Sequence, residues 1–413
     1  MNNNSNSKDN KKRNIANNAG IGDGSSKSNA VNDKNPRRIY VCHTLYHVYV
    51  SILKELNFQM AEARDKVQSV EQTTCDNRDE AGTGRILRAD IALSTVYMDL
   101  SEVGEKLKTS GIFENVYSME EHYAEDFPEI IKYRQNHGNI LIHTWNRLKY
   151  TKKLGKKQEE FIKIDFRKYQ DIYVFCDSDP IGYYLNYKHI YYHAVEDGYN
   201  CLKVFDAAHV DNAGHFEFKA KLARMGLIFI QNGYSKYCLD MEVNDKSVFD
   251  YEFDKYIEVP RAKLEKQLGA AERKKILDIF LPDAEEISRQ LSGCDDCILF
   301  LTEGYPGDRP DIREKICEDI LRDYCQGKKV VIKPHPRDDV DYATKFGQCI
   351  VIRGKFPIEV LNFIDGIHFS LALSIITSAL DNINFVDEKR NLGPAFYDAY
   401  EPAEKHAFMI KNK

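Results

Sequence analysis

The stretch at residues 297–337 reads CILFLTEGYPGDRPDIREKICEDILRDYCQGKKVVIKPHPR. Apolar runs at residues 297–302 and 330–332 predict two short buried strands, because turn-forming or charged residues bound each run. Between them, residues 312–325 carry apolar side chains at helical spacing and predict an amphipathic helix. A strand, a helix and a strand in this order form a βαβ unit with parallel strands. The stretch therefore predicts a Rossmann-like α/β layer structure.

The same alternation of strands and helices occurs in the first half of the chain. Strands are predicted at residues 38–42, 90–94, 171–176 and 189–193, and helices at residues 43–57 and 100–110. Residues 251–290 are charged and helical in pattern, and we interpret them as a hinge region between two α/β units. The sequence thus predicts two Rossmann-like domains.

Two prolines border a histidine directly after the second strand of the βαβ unit, in Lys333-Pro334-His335-Pro336-Arg337. Proline ends a strand and restricts the backbone, so His335 projects from a stiff turn. Open α/β sheets bind ligands at the carboxyl ends of their strands. We therefore interpret His335 as catalytic towards a departing phosphate, with Lys333, Pro336 and Arg337 binding that phosphate. The alternative is a solvated loop.

Two adjacent carboxylates, Glu196 and Asp197, precede Gly198 after a strand-like run. Repulsion between adjacent carboxylates, together with partial burial, raises the pKa of one of them. A carboxylate with a raised pKa can serve as the general base for a sugar hydroxyl. We therefore predict that Glu196 or Asp197 is the catalytic base. The alternative is an Asp-Gly turn beside a solvated glutamate.

The glycine-containing loop after residues 297–302 supplies two further base candidates, Asp308 and Asp311. Glycine allows the backbone to approach a ligand closely. We rank these two carboxylates second. Further along, Thr377 and Ser378 precede a predicted helix start, where hydroxyls and free backbone N–H groups favour an anion. They are predicted to bind the phosphate, and ordinary helix capping is a compatible role.

A third pair of carboxylates, in Asp177-Ser178-Asp179, follows the predicted strand at residues 171–176. An Asp-x-Asp sequence at a strand end holds Mg²⁺ or Mn²⁺ in metal-dependent GT-A transferases. Pro180 comes next, and proline in a first helical turn instead favours N-capping by Asp179. We predict no metal site here.

The amino-acid composition argues against several classes of protein, including nucleic-acid-binding and membrane-spanning proteins. The 413 residues are 43% hydrophobic and carry a net charge of −6, which argues against nucleic-acid binding. No apolar run reaches the ~18 residues that predict a membrane span. The ten cysteines, without an export signal, predict reduced thiols in a cytoplasmic protein. Cys294 and Cys297 have the spacing of half a zinc site, but no second pair completes it.

Residues 1–36 differ in composition from the rest of the chain. They are rich in Asn, Ser, Lys and Gly and have almost no apolar side chains, so they are predicted to be a disordered tail. The Lys and Arg residues of this tail favour weak attraction to an anionic membrane surface.

Taken in order along the chain, the turns that follow these predicted strands, which we call corners, resemble known motifs. The Glu196-Asp197-Gly198, His335-Pro336 and Thr377-Ser378 corners are similar to the D/E-D/E-G, HP and S/T motifs of bacterial sialyltransferases. The chain resembles glycosyltransferase family 52 in particular, the lipooligosaccharide and capsule sialyltransferases. Further similar segments are residues 39–47, 175–184 and 257–261.

The resemblance implies an α/β, GT-B-like fold with two Rossmann-like domains facing across a cleft. Residues 37–255 are expected on the acceptor side, and residues 256–413 are expected to bind the nucleotide sugar. The implied reaction is inverting transfer of sialic acid from CMP-sialic acid to a hydroxyl of lipooligosaccharide or capsule polysaccharide. Members of the family also suggest a base in the loop that holds Asp308 and Asp311.

The expected partners are a CMP-activated sugar donor, a glycan acceptor and a second copy of the chain, with no nucleic acid. No cofactor or metal is expected. The expected location is cytoplasmic, with peripheral association at the inner face of the plasma membrane. Alternatives are a metal-dependent GT-A-type transferase, a CDP-polyol phosphotransferase and a degenerate nucleotide-sugar-binding subunit without activity.

Overall fold

A computed structural model describes residues 37–73, 88–134, 140–175, 177–197, 206–304 and 310–402 of the chain. The described residues form two separate parallel β-sheets that pack against helices. The tail predicted at residues 1–36 lies outside them. Among the described residues, no helix is both long enough and apolar enough to span a membrane.

The first sheet has seven strands in the order β3-β2-β1-β4-β5-β6-β7, all parallel. Its strands are β1 (Arg38–Cys42), β2 (Asp90–Ser94), β3 (Val116–Met119), β4 (Asp171–Phe175), β5 (Tyr192–Val195), β6 (Cys238–Val243) and β7 (Tyr256–Glu258). The second sheet has five parallel strands in the order β10-β9-β8-β11-β12. These are β8 (Ile298–Leu301), β9 (Val330–Lys333), β10 (Ile350–Val351), β11 (Phe369–Ser374) and β12 (Val386–Asn391).

Helices connect the strands. The α-helices are α1 (Leu45–Thr73), α2 (Ser101–Ser110), α3 (Pro128–Ile131), α4 (Ile140–Lys157), α5 (Pro180–Lys188), α6 (Ala207–Asp211), α7 (Phe216–Arg224), α8 (Arg261–Gln267), α9 (Ala270–Phe280), α10 (Ala284–Leu291), α11 (Pro310–Tyr324), α12 (Tyr342–Lys345) and α13 (Ala379–Asn382). Short 3₁₀ helices lie at Ala124–Asp126, Lys132–Arg134, Gln158–Glu160, Phe166–Lys168, Lys246–Val248, Ile358–Phe363 and Pro394–Ala399. Helix α1 extends well past its predicted end because residues 58–73 contain no glycine or proline to stop it.

This architecture confirms the predicted pair of Rossmann-like α/β domains and the GT-B-like fold. The first sheet, however, extends past residue 255, where the boundary was predicted. Strand β7 pairs with β6 in parallel, with Met241 opposite Tyr256. A strand of three residues is too short to produce a recognisable apolar run, so only the pairing reveals it.

The segment predicted as a hinge at residues 251–290 is a packed part of the core. On α9, Ile276, Ile279 and Phe280 are buried, and the helix contacts α1 and α2 of the first domain. The same apolar cluster continues to Leu299 and Phe369 in the second sheet. The two domains therefore share one hydrophobic core.

Candidate active site

Both sheets have a point at which the strand order reverses. In the first sheet this point lies between β1 and β4, and in the second between β8 and β11. Parallel sheets bind ligands at such points, outside the carboxyl ends of the strands. The loops that follow these strands and their neighbours carry most of the predicted site residues.

Asp197 directly follows β5 and is held by a histidine that sequence reasoning had not singled out. Its Oδ1 is hydrogen-bonded to Nε2 of His47, which lies on α1. The backbone N–H of His43 donates to Nδ1 of His47 over 3.0 Å. Nδ1 is therefore an acceptor, and the ring proton resides on Nε2, where it is donated to Asp197.

His47 provides a rigid support for this bond. Its ring is fully buried and stacks on Phe175, with centroids 4.6 Å apart and planes 12° from parallel. Burial lowers the pKa of His47 more than Asp197 raises it, so the imidazole is neutral. The Asp197 side chain keeps 30% of its surface exposed and can meet a substrate. The only sequence signal for His47 was its place in the family-like segment at residues 39–47.

Glu196, the neighbouring candidate, points elsewhere. It is 3% exposed, and its Oε2 accepts the backbone N–H of Asn244 over 2.6 Å. Burial raises the pKa of Glu196, and the negative charge of Asp197 raises it further. The raised pKa agrees with the reasoning from adjacent carboxylates. The contact of Glu196, however, fixes the loop after β6 and leaves little surface for a substrate.

A second buried histidine forms a polar cluster beside this site. Nε2 of His43 lies 2.7 Å from Oε1 of Glu121 and 3.5 Å from Oδ2 of Asp179. Burial lowers the pKa of His43, but the two carboxylates outweigh it and raise the pKa to about 9. His43 is therefore a cation inside the fold, where it neutralises charge at the reversal point of the first sheet.

The predicted capping role of Asp179 is wrong in one respect. Asp179 occupies the N-cap position of α5 but makes no capping bond, and instead accepts from the hydroxyls of Tyr97 and Tyr123, each over 2.6 Å. The helix terminus is satisfied by Glu121, which accepts the backbone N–H of Ile181 over 2.8 Å. Glu121, from another loop, thus caps α5 in place of Asp179.

The other carboxylate of the Asp-x-Asp sequence is also engaged within the protein. Asp177 is buried and accepts from the Tyr192 hydroxyl and the Asn232 backbone N–H, both over 2.9 Å. Burial raises the pKa of Asp177 to about 6. Across the described ranges, no group of three His, Cys, Asp or Glu side chains is arranged to hold a metal ion. Cys294 and Cys297 are buried in the shared core.

In the second domain, His335 lies in the turn after β9. Its backbone N–H donates to Oγ1 of Thr302 over 3.0 Å, and the backbone N–H of Arg337 donates to its Nδ1 over 3.1 Å. The ring proton therefore resides on Nε2 and is available to a ligand. Burial, with the charges of Arg337 and Lys333, lowers the pKa of His335 to about 3. His335 is therefore a neutral hydrogen-bond donor.

Lys333 is buried beneath the turn and presents little surface to a ligand. Its Nζ donates to the carbonyl of Pro334 over 2.8 Å and lies 4.3 Å from the ring centroid of Phe356. Burial lowers the pKa of Lys333 to about 7, although Glu359 opposes the shift. By contrast, Arg337 is exposed and Pro336 is half-buried at the surface of the turn.

The loop after β8 packs directly on the imidazole of His335. A Cβ atom added to Gly304 would lie 2.3 Å from both Cε1 and Nδ1 of that ring. Only glycine fits at this distance, so Gly304 sets the position of the histidine. The sequence predicted that a glycine of this loop approaches a ligand, whereas in the structure Gly304 packs against the side chain of His335.

The backbone amides of the predicted phosphate site are already bound by a protein carboxylate. Oε1 of Glu303 accepts the N–H groups of Ile375, Ile376 and Thr377 over 3.2, 2.9 and 3.0 Å. Burial raises the pKa of Glu303 to about 7, although the three N–H bonds favour its charged form. These three amides are therefore occupied by the Glu303 side chain, which comes from the loop after β8.

The two hydroxyl residues have different positions at the start of α13. Oγ1 of Thr377 accepts the backbone N–H of Ala379 over 3.3 Å, as a local cap does. Ser378 occupies the N-cap position without a capping bond from its side chain. Of the second-rank base candidates, Asp311 is exposed in the first turn of α11. Asp308 lies outside the described residues.

The two sheet edges face each other. The positive charge of Arg337, in the second domain, contributes to the lowered pKa of His47 in the first. Nδ2 of Asn244, after β6, donates to Oδ1 of Asn382 at the end of α13 over 3.3 Å. Asp197 and the His335 turn therefore lie on opposite sides of the boundary between the two domains.

A cavity of about 950 Å³ lies in the first domain beside the end of β4. Aromatic and cationic side chains line much of it, including Tyr150, Tyr183, Arg134, Arg147 and Lys219. Arg147 and Lys219 donate to the side-chain and main-chain oxygens of Asn212, over 2.5 and 3.1 Å. Such walls offer both flat faces and hydrogen-bond donors to a polar ligand.

Residues 131–389, more than half of the chain, match the sequence profile of Glycosyltransferase family 52. The match confirms the resemblance predicted from the motifs. No curated protein matches the chain. Among solved structures, an α/β-galactoside α-2,3-sialyltransferase from Photobacterium phosphoreum is similar, with 12% identity, a TM-score of 0.47 and coverage of 86% of this chain and 90% of that one.

Two further solved structures show weaker similarity. The GT-B domain of a sialyltransferase from Photobacterium damselae has 14% identity and a TM-score of 0.39, with 86% of this chain and 90% of that one covered. A UDP-GlcNAc 2-epimerase from Methanocaldococcus jannaschii has 12% identity and a TM-score of 0.37, with coverage of 84% and 80%.

Proposed function

The chain belongs to glycosyltransferase family 52, and from that premise we propose that it is an inverting sialyltransferase with CMP-sialic acid as its donor. Family membership makes it a glycosyltransferase, an enzyme that uses an activated sugar donor and an acceptor. The observation that carries the proposal is the placement of Asp197 on one side of the domain boundary and of the His335 turn on the other. One side suits a hydroxyl that must lose a proton, and the other suits a departing phosphate.

Asp197 is assigned the role of general base. His47 holds one of its oxygens, and the side chain is still exposed enough to reach an acceptor hydroxyl. Glu196 is assigned a positioning role, because its carboxylate is buried against the Asn244 backbone. In the reaction, Asp197 takes the hydroxyl proton while the acceptor oxygen attacks the anomeric carbon.

The His335 turn is assigned to the leaving group. As the bond from the anomeric carbon to the CMP phosphate breaks, its electron pair passes to the phosphate oxygen. Nε2–H of His335 donates to that oxygen, and Arg337 balances its charge. Thr377 and Ser378 offer hydroxyls to the same phosphate. Lys333 acts from below, where it supports the turn through the Pro334 carbonyl.

The acceptor is a surface glycan, lipooligosaccharide or capsule polysaccharide, which the enzyme extends at the cytoplasmic face of the membrane. The cavity of about 950 Å³ in the first domain suits a sugar, because its tyrosines offer flat faces and its arginines offer donors. The second domain then holds the nucleotide.

The activity is tested by incubating the purified chain with a panel of CMP- and CDP-activated donors, with and without a galactose-terminated oligosaccharide. We expect release of CMP from CMP-sialic acid, slow without acceptor and faster with it. Turnover of a CDP-polyol donor alone would instead identify the phosphotransferase alternative. The absence of any donor turnover would leave only the non-catalytic alternative.

Dependence on metal ions separates this mechanism from the GT-A alternative. CMP carries a single phosphate, whose charge Arg337 balances while His335 donates a hydrogen bond, so that no bridging cation is needed. We therefore expect EDTA to leave the initial rate of CMP release unchanged. A loss of activity in EDTA that Mn²⁺ restores would contradict this mechanism.

A further inference from the structure

Helix α4, at Ile140–Lys157, differs in composition from the rest of the chain. Its sequence, ILIHTWNRLKYTKKLGKK, contains six arginines and lysines and no acidic residue. The whole protein, by comparison, carries a net charge of −6. A concentration of positive charge on one helix of an acidic protein indicates an anionic partner for that helix.

The inner face of α4 fixes how the helix is rotated. Tyr150 and Leu154 are buried, and Gly155 packs against α5. A Cβ atom at Gly155 would lie 2.4 Å from the Tyr183 carbonyl oxygen, so the two helix backbones are in close contact. A helix held this closely presents a defined opposite face to solvent.

That outer face combines large apolar residues with lysines. Leu141 is 77% exposed, Ile142 49% and Trp145 59%. At about 100° per residue, these three side chains share one side of the helix with Lys152, Lys153 and Lys156, which are also exposed. Lys149 lies along the same face, with its Nζ 5.2 Å from the Trp145 ring centroid. We call these seven residues the α4 outer face.

The four lysines of the α4 outer face form no ion pair with the described acidic residues. Among the described residues, Lys149, Lys152, Lys153 and Lys156 take part in no ion pair, whereas Lys157 at the helix end pairs with Glu160 over 2.6 Å. A binding partner can thus be attracted without breaking existing ion pairs. The lysines form a positively charged band beside an apolar patch that includes a tryptophan.

We propose that the α4 outer face docks the protein on an anionic lipid bilayer. Leu141, Ile142 and Trp145 enter the headgroup boundary, and the lysines contact the acidic headgroups. Interfacial helices combine an apolar face that contains Trp or Leu with a Lys-rich polar side in this way. Charge complementarity selects a bilayer over a second copy of this acidic chain.

The position of α4 gives this docking a consequence for the acceptor. His143, Thr144 and Arg147 of the same helix line the cavity of about 950 Å³. Docking would therefore hold that cavity beside the membrane, where a lipid-anchored glycan presents its sugar. This consequence rests on the proposed function, whereas binding to the bilayer does not.

The chain contains a single tryptophan, and it lies on this face, so its fluorescence reports docking directly. The full-length protein is titrated with phosphatidylcholine vesicles with or without phosphatidylglycerol, and Trp145 emission and vesicle flotation are measured. We expect a blue shift and flotation with phosphatidylglycerol only, both reduced by high salt. Unchanged emission and no flotation with anionic vesicles would overturn the proposal.

Substitutions separate this face from other surfaces. The double variant Leu141→Ser, Ile142→Ser and the triple variant Lys152→Gln, Lys153→Gln, Lys156→Gln should each weaken flotation by about tenfold or more. Matched controls are Ile257→Ser, which removes an exposed apolar side chain elsewhere, and Lys263→Gln, Lys266→Gln, Lys274→Gln, which removes the same charge. The controls should float like the wild type. Equal flotation of all variants would overturn the assignment to α4.

Two further readouts keep the outcomes distinct. Release of CMP with a soluble acceptor should be unchanged in the α4 variants, so failure of the proposed activity and failure of docking are seen separately. Light scattering without lipid measures self-association. If the wild type is a dimer that the Leu141→Ser, Ile142→Ser variant dissociates, the face is a contact between copies and the bilayer proposal is wrong.

Discussion

Asp197 and Glu196 are adjacent in sequence but have different surroundings in the fold. His47 orients Asp197 at the domain boundary, whereas Glu196 is bound to the Asn244 backbone. We expect Asp197→Asn to lower turnover by about 10²–10⁴-fold with normal CMP affinity, because a base touches the acceptor and not the nucleotide. Rates of CMP release and calorimetric titration with CMP measure the two effects.

The control is Glu196→Gln, which keeps an oxygen for the Asn244 N–H. It should retain turnover to within about tenfold of the wild type. If Glu196→Gln is inactive while Asp197→Asn works, the assignment of the two carboxylates is reversed. If both work and Asp311→Asn is inactive, the base belongs to the loop after β8.

Gly304 determines where the imidazole of His335 lies. A methyl group at this position would overlap Cε1 and Nδ1 of the ring, so Gly304→Ala must displace it. We expect kcat to fall by about 10²-fold, as for His335→Ala, with little loss of melting temperature. Gly347→Ala is the matched control, since a Cβ atom there meets no atom within 4 Å. Wild-type kcat in Gly304→Ala would remove the role given to His335.

At the scale of elements, Glu303 links the ends of β8 and β11. Its pKa is raised by burial from 4.5 to about 7, so between these pH values the folded protein binds more protons than the unfolded chain. The free energy of unfolding contributed by Glu303 is therefore greatest below about pH 4.5 and falls as the pH rises to about 7.

The variant Glu303→Gln tests this link, because an amide oxygen can still accept the three N–H groups but does not titrate. Relative to the variant, the wild type should lose on the order of 2 kcal/mol of stability between pH 4.5 and 7. Urea unfolding at several pH values measures the difference. A difference that is constant with pH would show that Glu303 has an ordinary pKa.

At the scale of the whole molecule, α9 joins the two domains in one apolar core. We expect both domains to unfold in a single transition. If either domain unfolded alone, the apolar side chains of the other domain that pack against α9 would be exposed to water. Ile279→Ala, in the middle of this contact, should destabilise the protein by about 2–5 kcal/mol and keep the transition single. Two resolved transitions would contradict the shared core.

Trp145 and far-ultraviolet circular dichroism provide the two probes. The tryptophan lies on α4 in the first domain and reports that domain alone, whereas circular dichroism reports helices of both. Coincident urea curves in the wild type and in Ile279→Ala are the expected result. A substitution away from the contact, Met225→Ser, is exposed and should leave both curves unchanged.

The amino-acid sequence alone determined the architecture of two parallel α/β domains and the family. Strands such as Ile298–Leu301 and Val330–Lys333 can be predicted from the local sequence, because strands buried on both faces need continuous apolar runs. The turn at His335 and the turn after Glu196 and Asp197 could also be predicted from the sequence, since proline and glycine determine the backbone conformation of adjacent residues. By contrast, the three-residue β7 carried too little pattern to be predicted.

The tertiary structure decided what each site residue touches. It paired Asp197 with His47, 150 positions away, and brought Glu303 to the amides of residues 375–377. It also made Glu121 the acceptor for the backbone N–H of Ile181 at the start of α5, where the local sequence had favoured capping by Asp179. These contacts join loops that are distant in sequence. Short-range patterns cannot encode them, because they exist only once the strands are ordered in the sheet.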